Sequence, residues 1–136
     1  MPNTTLDDLG KLVLRLTLGI LLLLHGIAKL RYGVEWLGGP LKAHGLPAVL
    51  SYGAYAGEVL APILIIIGLY TRVGALLAIF NMLFAFGLMH MGELFSLTKS
   101  GGWALELQGF FLFTSLALLL MGAGRMSLGG AHGRWN

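Results

Sequence analysis

A few ionisable side chains stand in stretches of the sequence that are otherwise apolar. His25 and Lys29 are one helical turn apart in the stretch LLLLHGIAKLRYG, and Glu58 interrupts the later stretch GEVLAPILIII. His90 and Glu93 are three positions apart, a spacing that places two side chains on one face of a helix. Imidazole, ammonium and carboxylate groups can hydrogen-bond the oxygens of a ligand and can take up or deliver protons. These residue types therefore indicate a site for ligand binding or proton transfer in an apolar setting.

The elements that carry these side chains are long apolar segments. Of the 136 residues, 57% are hydrophobic and 11% are charged, and the mean hydropathy is +0.82. Four segments come close to the ~20 residues that a helix needs to cross ~30 Å of hydrocarbon: 9–30, 48–70, 73–91 and 103–123. The sequence therefore predicts an all-α membrane protein, a single domain over residues 1–136 that folds as an up-down bundle of four transmembrane helices. The first segment lacks the basic start and the cleavage site of a signal peptide, so we expect it to be retained.

The distribution of Lys and Arg predicts the orientation of these helices. An even number of spans places both termini on one side of the membrane, and the cytoplasmic side normally carries more basic residues. The terminal side has one basic residue more than the other side: Lys11, Arg15, Arg72, Arg125 and Arg134, against Lys29, Arg31, Lys42 and Lys99. Both termini are therefore predicted to be cytoplasmic.

An up-down path brings the polar residues of all four helices into the same half of the bilayer. With a rise of about 1.5 Å per residue, Glu58 would lie roughly 15 Å below the membrane surface and Glu106 about 5 Å below it. A carboxylate as deep as Glu58 costs several kcal/mol unless it is paired or protonated. We therefore expect Glu58 to face the interior of the bundle, with Lys29 and His25 as its nearest partners by depth.

Helical spacing also predicts which side chains share a face. The fourth segment carries a stripe that places an aromatic surface beneath a carboxylate: Trp103, Glu106, Gly109, Phe110 and Phe113. Such a surface could form one wall of a site for a flat ligand. In the third segment, Asn81 is nine positions from His90, so the two side chains are predicted to point in nearly opposite directions.

Three stretches of the sequence resemble the DoxX family of small four-helix membrane proteins. In chain order they are RLTLGILLLLHGIAKL (15–30), GEVLAPILIIIGLYTR (57–72) and LELQGFFLFTSLALLLMGAGRMSL (105–128). The positions that carry the resemblance are His25, Gly26, Lys29, Glu58, Gly68, Arg72, Glu106, Gly124, Arg125 and Ser127. The family pattern often continues into an aspartate after the last stretch, whereas this chain has Gly129.

The resemblance implies a bacterial or archaeal protein of the cytoplasmic (inner) membrane, related to the small subunit of thiosulfate:quinone oxidoreductase. It implies that the chain is a subunit of a quinone-linked redox system that oxidises thiosulfate or another small donor. A quinone is then the expected cofactor. The expected partners are membrane lipid and either another protein subunit or further copies of this chain.

A quinone site has chemical requirements that these residues can meet. Reduction of a quinone takes up protons as well as electrons, so the site needs hydrogen-bond donors at the carbonyls and a protonatable group. The candidate catalytic residues are His25 and Lys29 as donors, and Glu58 and Glu106 as proton carriers. The candidate cofactor-binding residues, which include the rings that could stack on the quinone, are His25, His90, Trp103, Phe110 and Phe113.

Composition and spacing exclude some functions and leave others open. The sequence contains no cysteine, which excludes iron–sulfur clusters and covalently attached haem within this chain. Its basic residues are scattered at helix ends, which argues against nucleic-acid binding. His25 and His90 are the minimum for a haem with two histidine ligands, but no HxxxH or ExxH spacing supports a metal site, and none is predicted. The open alternatives are a non-catalytic anchor or scaffold subunit and a transporter of protons or a small solute.

Overall fold

The computed structural model describes residues 4–136, and this part of the chain is mostly helical and contains no β-strand. Residues 1–3 of the predicted single domain lie outside the described part. Three helical runs are long and apolar enough to cross a membrane: Thr4–Tyr32, Ala48–Ile67 and Thr71–Met89. A fourth apolar helix, Glu106–Met121, has 16 residues and is shorter than the segment 103–123 that the sequence predicts. The protein is therefore a helical membrane protein with three clear candidate spans.

Helix α1 (Thr4–Tyr32) extends beyond the predicted segment 9–30 at both ends. It ends where Gly33 adopts a left-handed conformation with φ of 80° and donates its N–H to the carbonyl oxygen of Lys29. The buried face of α1 includes Leu18, Leu22 and Gly26, while many of its other apolar side chains are not covered by protein. An uncovered apolar surface of this kind is what a lipid-facing helix presents.

The connection after α1 is short and partly helical. It contains a 3₁₀ turn, Glu35–Leu37, and helix α2 (Gly38–Ala43). Val34 and Leu41 are buried and fix this connection to the rest of the protein.

The second span (Ala48–Ile67) changes its helical geometry along its length. It begins as a 3₁₀ helix over Ala48–Tyr52, continues as α3 (Gly53–Tyr55), widens into a π-helix over Ala56–Leu60 and ends as α4 (Ala61–Ile67). Pro62 explains the widening, because it has no N–H to give to the carbonyl oxygen of Glu58 four residues earlier. The second span ends at Gly68, whose φ is 72°, and so stops before the predicted residue 70.

Helix α5 (Thr71–Met89) follows after a tight turn and packs antiparallel to α4. Gly74 makes this approach possible, since a Cβ there would contact the carbonyl oxygen of Ala61. Helix α6 (Glu106–Met121) then packs closely against α5. The core formed by α1, the second span, α5 and α6 consists of Leu18, Leu22, Ala61, Ile65, Ala75, Ala78, Met82, Phe111 and Leu118.

The C-terminal segment (residues 122–136) is held against the end of α4 by Arg15. The guanidinium of Arg15 is buried, and it donates to the carbonyl oxygens of Ile65, Ile66, Ala123 and Met126 at 2.8 to 3.2 Å. Ile65 and Ile66 are in the last turn of α4, where carbonyls lack a partner within the helix, and Ala123 and Met126 lie in the non-helical C-terminal segment. Arg15 therefore joins α1, α4 and the C-terminal segment, about 20 Å along α1 from Lys29.

Candidate functional site

Lys29 and Glu58 form an ion pair between α1 and the second span. Lys29 Nζ lies 2.9 Å from Glu58 Oε1 and 2.8 Å from Oε2. The side chain of Glu58 is 8% exposed and that of Lys29 is 18% exposed. The expected pairing of the deep carboxylate with Lys29 is therefore confirmed. A pair that is mostly withdrawn from solvent is costly to break, because the remaining charge has no substitute partner.

The backbone around Glu58 brings the two helices unusually close together. A Cβ added at Gly26 would overlap the carbonyl oxygen of Glu58, so only glycine fits at this position of α1. That carbonyl oxygen lies in the π-helical turn and has lost its α-helical donor at Pro62. Single π-helical turns inside a helix occur frequently at functional sites. The proline, the glycine and the π-helical turn together bring Glu58 within reach of Lys29.

Next to the ion pair lies a cavity of about 490 Å³, which we call the main cavity. Its walls come from α1, the connection after it, the second span, α5 and α6. The polar side chains that line it are His25, Lys29, Ser51, Glu58, Asn81, His90 and Gln108. Most of the remaining lining is aliphatic or aromatic. A largely apolar cavity with a few converging polar groups is typical of a small-molecule site.

His25 lines the main cavity from α1 and contacts the aromatic ring of Phe111. The two rings meet edge to face, with centroids 5.6 Å apart and an angle of 83° between their planes. This arrangement fixes the orientation of the imidazole relative to α6. His25 and Glu58 therefore line the same cavity, and of the two partners expected for Glu58 it is Lys29 that forms the ion pair.

His90 lines the same cavity, and its Nδ1 atom is buried without a hydrogen-bond partner. The nearest carboxylate oxygen, Glu93 Oε1, is 3.9 Å away, which is too far for a hydrogen bond. Buried polar atoms are normally hydrogen-bonded in proteins, so an unpaired one needs an explanation. Nδ1 of His90 is therefore a buried nitrogen beside the main cavity whose hydrogen-bonding capacity the protein does not use.

The prediction that the side chains of Asn81 and His90 point in nearly opposite directions is wrong, because both residues line the main cavity. Helix α5 ends at Met89, and His90 already has non-helical backbone angles, with φ of −127° and ψ of 10°. The helical spacing of 100° per residue therefore no longer applies to His90. Asn81 also packs against the second span, since a Cβ at Gly57 would overlap its side chain.

The aromatic stripe predicted on the fourth helix lies in a different groove. This second groove, of about 410 Å³, is lined by Leu14, Trp103, Glu106, Gly109, Phe110, Phe113, Thr114 and Ala117, none of which lines the main cavity. Phe110 is 75% exposed, whereas its neighbour Phe111 is 6% exposed and faces the core. The stripe is thus a real face of α6, but it points away from Glu58. In the main cavity the aromatic ring from α6 is that of Phe111, whereas Phe110 and Phe113 line the second groove.

The comparison with known families agrees with the sequence motifs. The family model of DoxX matches residues 10–91, which is more than half of the chain. The chain belongs to the DoxX family. The matched region contains α1, the second span and α5, and with them Lys29, Glu58 and His90. The third DoxX-like stretch, 105–128, lies beyond the matched region.

A second protein with a similar sequence can also be compared over most of its length. An uncharacterized protein of Haemophilus influenzae is 33% identical to this chain over 119 residues, which cover 85% of this chain and 84% of that protein. No solved structure is significantly similar to the chain. Within residues 4–136, no group of three or more His, Asp or Glu side chains is arranged to hold a metal ion.

Proposed function

We propose that this DoxX protein is the quinone-binding subunit of a membrane redox system that oxidises thiosulfate or another small donor. The observation that carries the proposal is the main cavity, in which the Lys29–Glu58 ion pair and other polar side chains lie among apolar walls. Its volume of about 490 Å³ is within the range that small-molecule sites normally have. In this proposal the imidazole of His90 turns towards the ligand, and its buried, unpaired Nδ1 then hydrogen-bonds a quinone oxygen.

The residues of the main cavity fit what a quinone needs. A bound quinone supplies the two-electron chemistry, and the protein supplies hydrogen bonds and protons. Lys29 and His90 both line the cavity, and their nitrogen atoms are of the type that hydrogen-bonds a ligand oxygen. When the Glu58 carboxylate takes up a proton, Lys29 loses its counter-charge and is free to donate to a ligand oxygen. When Glu58 passes that proton on to the ligand, it is a carboxylate again and re-forms the ion pair with Lys29. Phe111 and His25 offer ring surfaces at the same wall.

The electron donor in this proposal is a partner of the chain. The sequence has no cysteine that could hold an iron–sulfur cluster or pass electrons through a disulfide. The electrons therefore come from another protein subunit, and membrane lipid and further copies of this chain are its other proposed partners. A non-catalytic anchor subunit would need no buried ion pair beside an open cavity, so the cavity favours a binding role.

We further propose that α6 crosses the membrane as a fourth span, which completes an up-down bundle in the inner membrane with both termini in the cytoplasm. Its 16 residues reach about 24 Å, a little less than the hydrocarbon thickness. Its close packing along α5 supports this arrangement. The small excess of basic residues on the terminal side supports the orientation.

Quinone binding can be tested on the purified protein in lipid nanodiscs. We expect saturable binding of a para-quinone, measured by equilibrium dialysis, and an affinity that His90→Phe lowers by up to about tenfold through loss of one hydrogen bond. His44→Phe is the matched control, since His44 is exposed and lies outside the main cavity. Absence of saturable binding to the unmodified protein would reject the proposal. A Soret band in the optical spectrum would instead support haem ligation.

A further inference from the structure

The main cavity is bordered by side chains that are not covered by protein on the side where the second span meets α5. Phe80 and Phe84 line the cavity, and yet each is 53% exposed. They are one turn apart on α5, so they form one continuous strip along its outer edge. The strip belongs both to the cavity and to the surface that faces lipid.

The second span has open space beside one residue of the cavity lining. Gly53 lines the cavity, and a Cβ added there would meet no atom within 4 Å. One turn further along, the second span and α5 are in direct contact, because a Cβ at Gly57 would overlap the side chain of Asn81. The cavity is therefore open beside Gly53 and closed beside Gly57.

This opening lies at the depth of the lipid chains. Gly53 is five residues into the second span, roughly 8–10 Å from its start. Phe84 and Phe80 lie about 8 Å and about 14 Å from the end of α5 at the same side of the protein. A molecule leaving the cavity beside Gly53 would therefore pass into hydrocarbon and along the two phenylalanines towards the middle of the bilayer.

We infer that the ligand of the main cavity carries a long hydrocarbon chain, which leaves the protein between the second span and α5 over Gly53 and lies along Phe84 and Phe80. The inference rests on the proposed quinone site and adds the class of ligand: a quinone delivered from within the bilayer. The polar ring occupies the cavity beside Lys29 and Glu58, while the apolar chain stays in contact with lipid. The helices need not separate for the ligand to enter.

The test compares two ligands that differ only in the chain, namely decylubiquinone and the same quinone ring without the decyl group. Dissociation constants are measured in detergent and corrected for partition into empty micelles. We expect the decyl compound to bind about tenfold tighter, since the burial of a few methylene groups against protein suffices for that ratio. Gly53→Leu should remove most of this advantage and leave the affinity for the bare ring unchanged.

Gly87→Leu is the matched control. Gly87 is an exposed helical glycine on α5 with equally open space around it, but it does not line the cavity. Gly87→Leu should change the affinity neither for the decyl compound nor for the bare ring. A second variant, Phe84→Ala, alters the opposite wall of the opening without adding volume and should weaken binding of the decyl compound alone.

Four results would decide against the inference. Equal affinity of the unmodified protein for both compounds would overturn it while leaving the quinone site in place. Equal weakening of both ligands by Gly53→Leu would also overturn it. So would the loss of the decyl group's advantage in Leu107→Trp, at another part of the cavity wall, if Gly53→Leu left that advantage in place. Binding of neither compound to the unmodified protein would reject the proposed function together with the inference.

Discussion

Gly26 of α1 lies directly against the carbonyl oxygen of Glu58 in the π-helical turn of the second span. Lys29 is three residues after Gly26 and therefore on the same face of α1. The close backbone contact brings this face near enough for Lys29 Nζ to reach both carboxylate oxygens of Glu58. The glycine thus determines whether the ion pair beside the main cavity can form.

The first prediction concerns this contact. Gly26→Ala should lower the free energy of unfolding by about 1–3 kcal/mol, because the added methyl group forces α1 away from the second span. Gly10→Ala is the control, since a Cβ at Gly10 meets no atom within 4 Å. Unfolding by a denaturing detergent, followed by circular dichroism, measures both. Equal stability of the two variants would mean that the helices can separate at little cost.

The second prediction separates the structural from the functional part of the ion pair. Glu58→Gln leaves the ammonium of Lys29 without a counter-charge and should cost on the order of 3 kcal/mol of stability. Adding Lys29→Met should restore much of that stability but not quinone binding, since both polar groups are then gone. Unfolding and equilibrium dialysis report the two effects separately.

A matched carboxylate provides the control for this pair. Glu106→Gln alters a residue of the second groove and should leave both stability and quinone binding unchanged. Full quinone binding by the double variant would reduce Lys29 and Glu58 to a structural ion pair. A non-catalytic scaffold would then be the better description of the protein.

Apolar length and helical spacing were sufficient to predict three of the spans and the Lys29–Glu58 pair. The pair could be predicted because a charged side chain in lipid costs free energy and the two residues lie at similar depth. Each is therefore the most favourable partner for the other. The family resemblance could be recognised from short motifs around the same residues. The four-span count stays a prediction, because α6 is shorter than its apolar segment.

The composition of the cavity wall could not be predicted, because it depends on helix ends and helix rotation. His90 leaves the helical path at the end of α5, so its spacing from Asn81 gave the wrong direction. Phe110 and Phe111 are adjacent in an entirely apolar helix, and no periodicity shows which of them faces the core. The contacts of α6 with α5 decide that Phe111 does.

The role of Arg15 was also hidden in the sequence, where it counted only as one basic residue near a terminus. In the structure it is 1% exposed and hydrogen-bonded to four carbonyl oxygens.

The third prediction is that Arg15→Lys costs on the order of 3 kcal/mol of stability, since an ammonium cannot reach carbonyls in two directions as a guanidinium does. Arg31→Lys, at an exposed position, should be nearly silent in the same unfolding assay.

The fourth prediction tests the proposed orientation. Because the sequence has no cysteine, single cysteines can be introduced without background labelling. Cysteines that replace Lys42 and Lys99 should react with a membrane-impermeant thiol reagent on intact cells, whereas one at Tyr70 should react only after lysis. Labelling of intact cells at Tyr70 alone would invert the orientation.

The last prediction asks which aromatic side chain of α6 belongs to the site. Phe111→Ala removes the ring that contacts His25 and faces the main cavity, so quinone affinity should fall, and stability should decrease by up to about 3 kcal/mol through the void left in the core. Phe110→Ala removes an identical ring one residue earlier, but this ring is mostly uncovered and lies in the second groove. Phe110→Ala should therefore change neither quinone affinity nor stability appreciably. If Phe110→Ala weakened quinone binding and Phe111→Ala did not, the ligand would bind in the second groove, and the cofactor-binding role predicted for Trp103, Phe110 and Phe113 would be correct after all.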